Sequence, residues 1–452
     1  MMNFAGKKVL VLGLAKSGLA SARALTRVGA KVTVNDFKKA EDLKDDLELL
    51  AELPVAVVTG GHPASLLDAG FDLIVKNPGI PFDIPFLLEA EKKGIPIISE
   101  PELAFQLNPV DMLAITGSNG KTTTTAWVGT IMARARENVK VAGNIGLPLS
   151  TEIEGLGKKD LVVVEMSSFQ LNNIVDFRAR VAALLNISPS HLDWHHSLEH
   201  YINAKVNIFR NQDEDDYAVL NADDQEVMAL VPRIKSRILY FSSKTRPNQG
   251  AYLKGDKIRI KVEDLDEELL DVAELGVGYA HNIMNAMAAA LISWAGGADL
   301  DAIRFGLKDF KGVKHRFQKV REKDGILYIN DSKATNSQAA LTALSLPKEP
   351  IIWIAGGLDR GQDLKELLTL AKKNCKAAVF LGEIKERMYA EALNLGFSNV
   401  DKAEDMADAL IKARSKGARG DLILLSPACA SWDMYESFEH RGDDFIRLIE
   451  EL

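Results

Sequence analysis

Nine residues, Ile115-Thr116-Gly117-Ser118-Asn119-Gly120-Lys121-Thr122-Thr123, place two glycines, a lysine and several hydroxyls between a strand-like run and a helix-like one. Phosphate binding needs this combination. Glycines let backbone N–H groups close on phosphate oxygens, a helix N-terminus adds partial positive charge, and Lys121 adds a full one. The run is the short GxxGKT form, because Ile115 stands where a longer loop would have its first glycine. The N–H groups of Gly117 to Thr122 are expected to face phosphate, and Thr122 is placed to hold Mg²⁺. Such an ion needs a further carboxylate, and Glu165, ending the run LVVVE, is where a neighbouring strand would deliver it. Strands ending at Thr116, Glu165 and Ile187 should emerge on one sheet edge, bringing His191 of SHLDWHH (190–196) within reach of a second Mg²⁺.

A second glycine loop, GLAKSG at 13–18, follows the apolar run KVLVL and leads into an amphipathic helix pattern and the strand KVTVND at 31–36. This is a βαβ opening. Gly13, Lys16 and Ser17 frame the turn, and Asp36 closes the next strand where a ribose acceptor would be. Ala15 replaces the glycine that allows closest approach to a pyrophosphate, so the loop alone leaves a dinucleotide and another nucleotide both open. Two nucleotide loops suit a protein that hydrolyses one nucleotide and holds a substrate by the other.

The elements that must position these residues fit the length. A chain of 452 residues, 47% hydrophobic, accommodates about three domains of roughly 150 residues each. Strand-like runs at 54–60, 72–79 and 96–99 extend the first α/β unit. Near-continuous apolar runs at 161–166 and 181–187 read as parallel strands buried on both faces. Runs at 325–331, 350–357, 377–382 and 421–428 alternate with helix patterns in a third unit. The segment 240–275, with KIRIKV at 257–262, reads as an antiparallel flap, and the acidic cluster DEDD at 213–216 as a solvated turn. The expected fold is α/β with three domains. Residues 1–99 form a Rossmann-like nucleotide-binding domain, 100–312 a P-loop domain with a mostly parallel sheet, and 313–452 a Rossmann-like α/β domain. A net charge of -8 opposes nucleic-acid binding, no run reaches the roughly 18 apolar residues of a membrane span, and two isolated cysteines suit a reducing cytoplasm.

Several motifs together resemble the Mur ligase family of ATP-dependent amino-acid ligases. They are GSNGKT (117–122), GNIGLP (143–148), EMSSFQL (165–171), HLDWH (191–195), NAKVNIF (203–209), GYAHNIMNAMAA (278–289), HRF (315–317), NDSKATN (330–336), SPACAS (426–431) and SFEHRG (437–442), in family order across nearly the whole chain. SSFQL and SPACAS are similar to the member that adds D-glutamate. The resemblance implies ligation of D-glutamate to UDP-N-acetylmuramoyl-L-alanine through an acyl phosphate, with ATP becoming ADP and phosphate, in peptidoglycan precursor synthesis. A monomer in the cytoplasm is the corresponding expectation. Two unit charges at 4 Å repel by about 4 kcal/mol at an effective dielectric near 20, so Lys121 and two Mg²⁺ are needed to let a carboxylate meet a triphosphate.

The resemblance also assigns residues. Thr122 and Glu165 serve one Mg²⁺, and Glu165 and His191 the other. Lys205 matches the lysine that the family carbamylates with CO₂, giving an anion able to bridge to a metal. Gly117, Ser118, Asn119, Gly120, Lys121, Thr122, Thr123, Asn282, Asn285, Arg316 and Asp331 are the implied ATP contacts. Gly13, Lys16, Ser17, Asp36, Asn77, Gly79, Asn144 and Ser167 are those of the UDP substrate. Lys333, Thr335, Ser431 and Phe438 are those of D-glutamate. On the helix from 278, His281 and Asn285 share a face that Asn282 is expected to present less directly. The loop GGLDRG at 356–361 receives no role, although Arg360 has the fork to pair with a carboxylate. Three rivals were open at this point. A folylpolyglutamate synthetase lacks the N-terminal domain, a nicotinamide-dependent dehydrogenase would rest on GLAKSG alone, and a non-catalytic UDP-sugar sensor would not need Lys121, Glu165, His191 and Lys205.

Overall fold

The structure is a computed structural model that describes residues 2–277 and 280–452; the side chains of Ala280 and His281 also lie outside the described residues. Two compact units result, Met1–Phe310 and Lys311–Leu452.

The first unit holds two sheets. A five-stranded parallel sheet is ordered Ala56–Thr59, Lys31–Asp36, Lys8–Leu12, Leu73–Lys76, Ile97–Ser99. Order reverses beside Lys8–Leu12, so the crevice at the carboxyl ends of this strand and Leu73–Lys76 is the switch point where doubly wound sheets take ligands. Helix Lys16–Arg27 packs back through Gly18, Ala20, Ala22 and Leu25. Gly18 allows that approach, since a Cβ there would stand 1.9 Å from the Gly13 carbonyl oxygen.

The second sheet has nine strands and begins in parallel fashion. Val139–Gly143, Leu161–Glu165, Asp111–Thr116, Val181–Leu184, Tyr217–Asn221 and Arg237–Ser242 are parallel, and Gly250–Lys254 follows in the same direction. Lys257–Val262 and Leu265–Asp271 then turn back antiparallel, which is the flap expected from alternation. The burial patterns explain the difference. Every residue of LVVVE and VAAL is buried, as two-faced covering requires, whereas KIRIKV alternates exposed and buried. Helices Lys121–Ala135 and Ala280–Ala295 cover one face.

The acidic cluster is only partly a solvated turn. Asp216 is buried, and its carboxylate and that of Asp213 hold the Arg178 guanidinium at 2.9 and 2.7 Å. A charge with a partner in reach folds inward, and the sequence does not show that partner.

The second unit carries a six-stranded sheet ordered Gln318–Lys323, Ile326–Asn330, Leu422–Leu425, Ile351–Gly356, Cys375–Leu381, Val400–Lys402. Only the Gln318–Lys323 edge is antiparallel. Its core gathers Tyr328, Ile352, Ile354, Val379, Leu425 and Phe445 with their neighbours.

Candidate active site

Thr116, Glu165 and Leu184 end three adjacent parallel strands, and the loops leaving them meet. The phosphate loop leaves Thr116, and Gly120 adopts φ +82° to start helix Lys121–Ala135. A Cβ on Gly120 would fall 2.4 Å from Asn285 Oδ1. The helix from 280 therefore presses its polar turn against the loop. Asn282 and Asn285 are both buried, and Asn285 Nδ2 donates to Asn282 Oδ1 at 3.3 Å. Asn282 and Asn285, three residues apart, thus share a face of the helix. His281 lies outside the described side chains.

Two of the N–H groups expected to face phosphate are already engaged. Ser118 N donates to the Asn186 carbonyl at 3.0 Å, and Asn119 N to Asn186 Oδ1 at 2.8 Å. Ser118 Oγ lies 2.8 Å from Tyr201 Oη and donates to Ser188 O at 3.0 Å. The sequence reading missed Asn186, although its place just beyond a strand beside the phosphate-loop strand was a signal. Lys121 Nζ donates to Gly117 O at 2.8 Å and Ser118 O at 3.0 Å, folding over its own loop. Thr122 is buried in the first helical turn, and Thr123 is half-buried.

Glu165 is 1% exposed. Asn144 Nδ2 donates to its Oε1 at 2.6 Å, while its Oε2 takes no hydrogen bond from the described residues. A buried carboxylate oxygen left without a donor is costly unless something else satisfies it, and a cation would do so. His191 opens the short helix Leu192–His195 with φ 54° and sets its ring edge-on to Phe169 at 4.9 Å. Desolvation first, then the charges of Lys121 and Lys205, hold its pKa below the ordinary value against the pull of Asp193. A neutral imidazole is the form that ligates metals. Oxygen and imidazole donors such as Thr122, Glu165 and His191 suit Mg²⁺ in part, with water and phosphate oxygens completing its preferred set.

Lys205 is 1% exposed and donates to Gly117 O at 2.8 Å and Thr116 Oγ1 at 3.4 Å, with its ammonium over the Tyr201 ring. Two ammonium groups, Lys121 and Lys205, therefore share one carbonyl. Burial first, then Lys121, drives the Lys205 pKa well down, with Glu165 opposing. Ser167 caps the helix Ser168–Leu171 in a reciprocal box with Gln170, so its hydroxyl already holds the helix start beside Glu165.

The N-terminal loop is equally preorganised. Gly13, at φ +91°, donates to Asn35 O at 2.7 Å, and a Cβ on it would meet Asn77 Cβ at 2.8 Å. Asn77 Nδ2 donates to Ser17 Oγ at 2.9 Å, and Asn77 Oδ1 accepts from Gly79 N at 3.0 Å. Gly13, Ser17, Asn77 and Gly79 thus meet at the switch point. Asp36 is engaged in the turn, its two oxygens accepting from Leu14 N at 2.7 Å and Lys38 N at 2.9 Å, and each oxygen keeps a lone pair for a further donor such as a ribose hydroxyl. Lys16 is exposed and lines a groove with Leu19, Arg23, Leu147 and Thr151. Sequence reasoning also passed over Lys76. It is 1% exposed, donates to Ile80 O at 2.7 Å and sits over Trp194, and burial brings its pKa down to about 8. Phe82, stacked on His200 at 4.6 Å, and Asp83, paired with His196 at 2.8 Å, tie the same segment to the histidine-bearing loop.

In the second unit, Asp331 Oδ1 accepts from Phe317 N at 3.0 Å and Oδ2 from Ser426 Oγ at 2.9 Å. Burial pushes its pKa up to about 6, against those two bonds and the nearby Arg316 charge. Arg316 follows the left-handed His315 in a half-buried turn. Lys333 holds its ammonium over the Phe438 ring at 5.3 Å, and Thr335 N donates to Lys333 O at 2.9 Å. Ser431 is buried at the end of SPACAS, where its carbonyl accepts from Met434 N and Tyr435 N. Arg360, in the unassigned loop, lies over the exposed Trp432 ring at 4.8 Å.

Residues 7–99 match the Mur ligase MurD-like N-terminal domain, 115–293 the Mur ligase middle domain and 315–429 the Mur ligase glutamate ligase domain. Over 447 residues, 98% of each chain, the sequence is 43% identical to a UDP-N-acetylmuramoylalanine--D-glutamate ligase of Clostridioides difficile. The chain belongs to the Mur ligase family. A Mur ligase of the same description from Streptococcus sanguinis is 45% identical over 451 residues, covering 100% of this chain and 98% of that one. Among solved structures, the UDP-N-acetylmuramate-alanine ligase of Thermotoga maritima shares the fold with a TM-score of 0.59 at 20% identity, covering 98% and 99% of the two chains. The MurF ligase of the same organism, solved with ADP, gives 0.55 at 17% identity over 93% and 94%. The α/β fold with mostly parallel sheets is therefore that of the Mur ligases. The dehydrogenase reading falls with this membership.

Proposed function

We propose that this chain ligates D-glutamate to UDP-N-acetylmuramoyl-L-alanine at the expense of ATP, as its relatives' names indicate for them, in peptidoglycan precursor synthesis. The observation that carries the chemistry is the meeting of Lys121 and Lys205 at the Gly117 carbonyl, with the charge of buried Glu165, one oxygen of which has no donor among the described residues, acting on Lys205. In this reading the alanyl carboxylate oxygen attacks the γ-phosphorus and displaces ADP, giving an acyl phosphate. The amine of D-glutamate then adds to the acyl carbon, loses a proton, and the tetrahedral intermediate expels inorganic phosphate to leave the amide.

The chain's residues serve charge and position. Lys121 neutralises the phosphates as they approach a carboxylate. Thr122, Glu165 and His191 would hold Mg²⁺, which supplies charge neutralisation for the phosphoryl oxygens. A buried, neutral Lys205 is the form that reacts with CO₂, and the carbamate, formed with loss of one amine proton, would place an anion beside the metal residues. Asn144 holds one Glu165 oxygen so that the other stays free to ligate. Gly13, Ser17, Asn77 and Gly79 would receive the uridine diphosphate at the switch point, and Lys333, Thr335, Ser431 and Phe438 would receive D-glutamate. The domains proposed for these tasks are 1–99, 100–312 and 313–452.

Phosphate release should require ATP, Mg²⁺, UDP-N-acetylmuramoyl-L-alanine and D-glutamate together, as read by a coupled phosphate assay. Equal turnover with L-glutamate in place of the D-isomer would contradict the assignment.

A further inference from the structure

The second unit buries a cation that no proposed step uses. Arg441, on helix Phe438–Glu450, is 2% exposed. Its Nε donates to Ser332 Oγ at 3.0 Å, and its Nη2 to the carbonyls of Ser332 at 2.9 Å and Cys429 at 3.1 Å. Ser332 Oγ in turn donates to Phe438 O at 2.8 Å. The remaining nitrogen, Nη1, is buried with no hydrogen-bond partner and lies 3.2 Å from where a Cβ on Gly357 would stand. Gly357 belongs to a segment bonded to the end of SPACAS, through Gly356 N to Pro427 O at 2.9 Å and Leu358 N to Ala430 O at 3.0 Å. One guanidinium therefore reaches three loops, and two of them carry Lys333, Thr335 and Ser431.

The hydrogen bonds around Arg441 bring it no charged partner. All three of its hydrogen bonds go to neutral oxygens. Asp433 attracts it from further off without a hydrogen bond to it; that carboxylate accepts from Glu383 N at 2.8 Å, keeps its charge and offsets Arg441 in part. Tyr435 spends its hydroxyl proton on Asp444 at 2.8 Å, and burial holds the Cys429 thiol up at about 11, so it is neutral. Desolvation lowers the Arg441 pKa only to about 10, which leaves it a cation at neutral pH. A buried charge without its countercharge is expensive in a stable fold, and an anion arriving nearby recovers part of that cost.

We infer that Arg441 is a positioning residue that also sets the charge preference of the amino-acid site. It locks the loops at 331–335, 356–358 and 427–431 into one frame, and its charge, which has no hydrogen-bonded counterion and is only partly offset by Asp433, makes that frame favour an acidic amino acid over a neutral one of the same shape. The inference rests on the proposed D-glutamate ligation. Arg441 acts through the loops and the field, touching no substrate atom.

The test uses the full chain with Arg441→Gln and Arg441→Lys, saturating ATP and UDP substrate, and two readouts: KM for D-glutamate and the inhibition constant of D-glutamine. Arg441→Gln should raise the KM for D-glutamate about ten- to a hundredfold, while the D-glutamine constant and the KM for ATP change by less than about threefold. Arg441→Lys, which keeps the charge and loses the fork, should lower kcat and keep the ratio of the two amino-acid constants within about threefold of wild type. A ratio unchanged in Arg441→Gln, or a KM for ATP rising in step, would reduce Arg441 to a structural strut and overturn the inference. If Arg441→Gln does not fold, loss of the ratio in a folded Arg441→Lys overturns it equally. A wild-type chain that ligates no D-glutamate refutes the proposed function instead, and D-glutamate binding measured by calorimetry then still reads the charge preference.

Discussion

Replacing Gly120 by alanine should damage the phosphate loop by an amount that can be worked out beforehand. Gly120 sits at φ +82°, where an L-residue costs about 1–2 kcal/mol. Its new Cβ would also stand 2.4 Å from Asn285 Oδ1, so Asn285 must swing away and give up its bond to Asn282, worth about 0.5–1.5 kcal/mol. The sum is about 1.5–3.5 kcal/mol. Gly60→Ala is the matched control, because Gly60 has φ +84° with nothing within 4 Å of the added carbon. It carries the backbone cost alone, about 1–2 kcal/mol. Equilibrium urea unfolding of both variants gives the comparison, and ATP titration calorimetry shows whether loop damage reaches the nucleotide. Gly120→Ala should be the less stable by about 1 kcal/mol and should lose ATP affinity, with Gly60→Ala binding ATP normally. The double variant Gly120→Ala, Asn285→Ala should recover part of the difference, since the clash is then absent. Equal stability of the two single variants, with ATP affinity intact in both, would refute the claim that Asn285 packs onto the loop.

Two further outcomes follow from the buried titratable groups. Lys205→Ala should lose most turnover and regain part of it with short carboxylic acids that mimic a carbamate; no rescue across a range of such acids would count against carbamylation. Asp331 has its folded pKa raised to about 6 from an ordinary 3.8. The folded state therefore holds the proton more tightly, its contribution is fully present below about pH 4, and it is lost as pH rises through 6, by about 3 kcal/mol in all. Between pH 4 and 7 the wild type should lose about 2 kcal/mol more unfolding free energy than Asp331→Asn, and parallel curves would contradict the burial argument.

The parts of this site legible in the sequence were those encoded by local spacing. GSNGKT between a strand and a helix announced the phosphate loop, and apolar runs ending at Thr116 and Glu165 announced which residues share a sheet edge. What stayed hidden depends on contacts between distant segments. Asn186 lies far from Ser118 in the chain yet takes two of the loop's N–H groups. Asp36 has the spacing of a ribose acceptor, but nothing in the spacing shows that the backbone N–H groups of Leu14 and Lys38 donate to its oxygens. Arg441, inside SFEHRG, received no role because only the folded unit shows it buried against Ser332 and Cys429. Asp216 looked solvated for want of Arg178.

Amide formation in this chain requires the substrate's terminal carboxylate to be activated as a mixed anhydride with phosphate beside Lys121 and Glu165. UDP-N-acetylmuramoyl-L-alanine labelled with oxygen-18 in that carboxylate, turned over with ATP and D-glutamate, tests this directly by mass spectrometry of the released phosphate. One labelled oxygen per phosphate is the expected result. Unlabelled phosphate accompanying full amide formation would contradict the route.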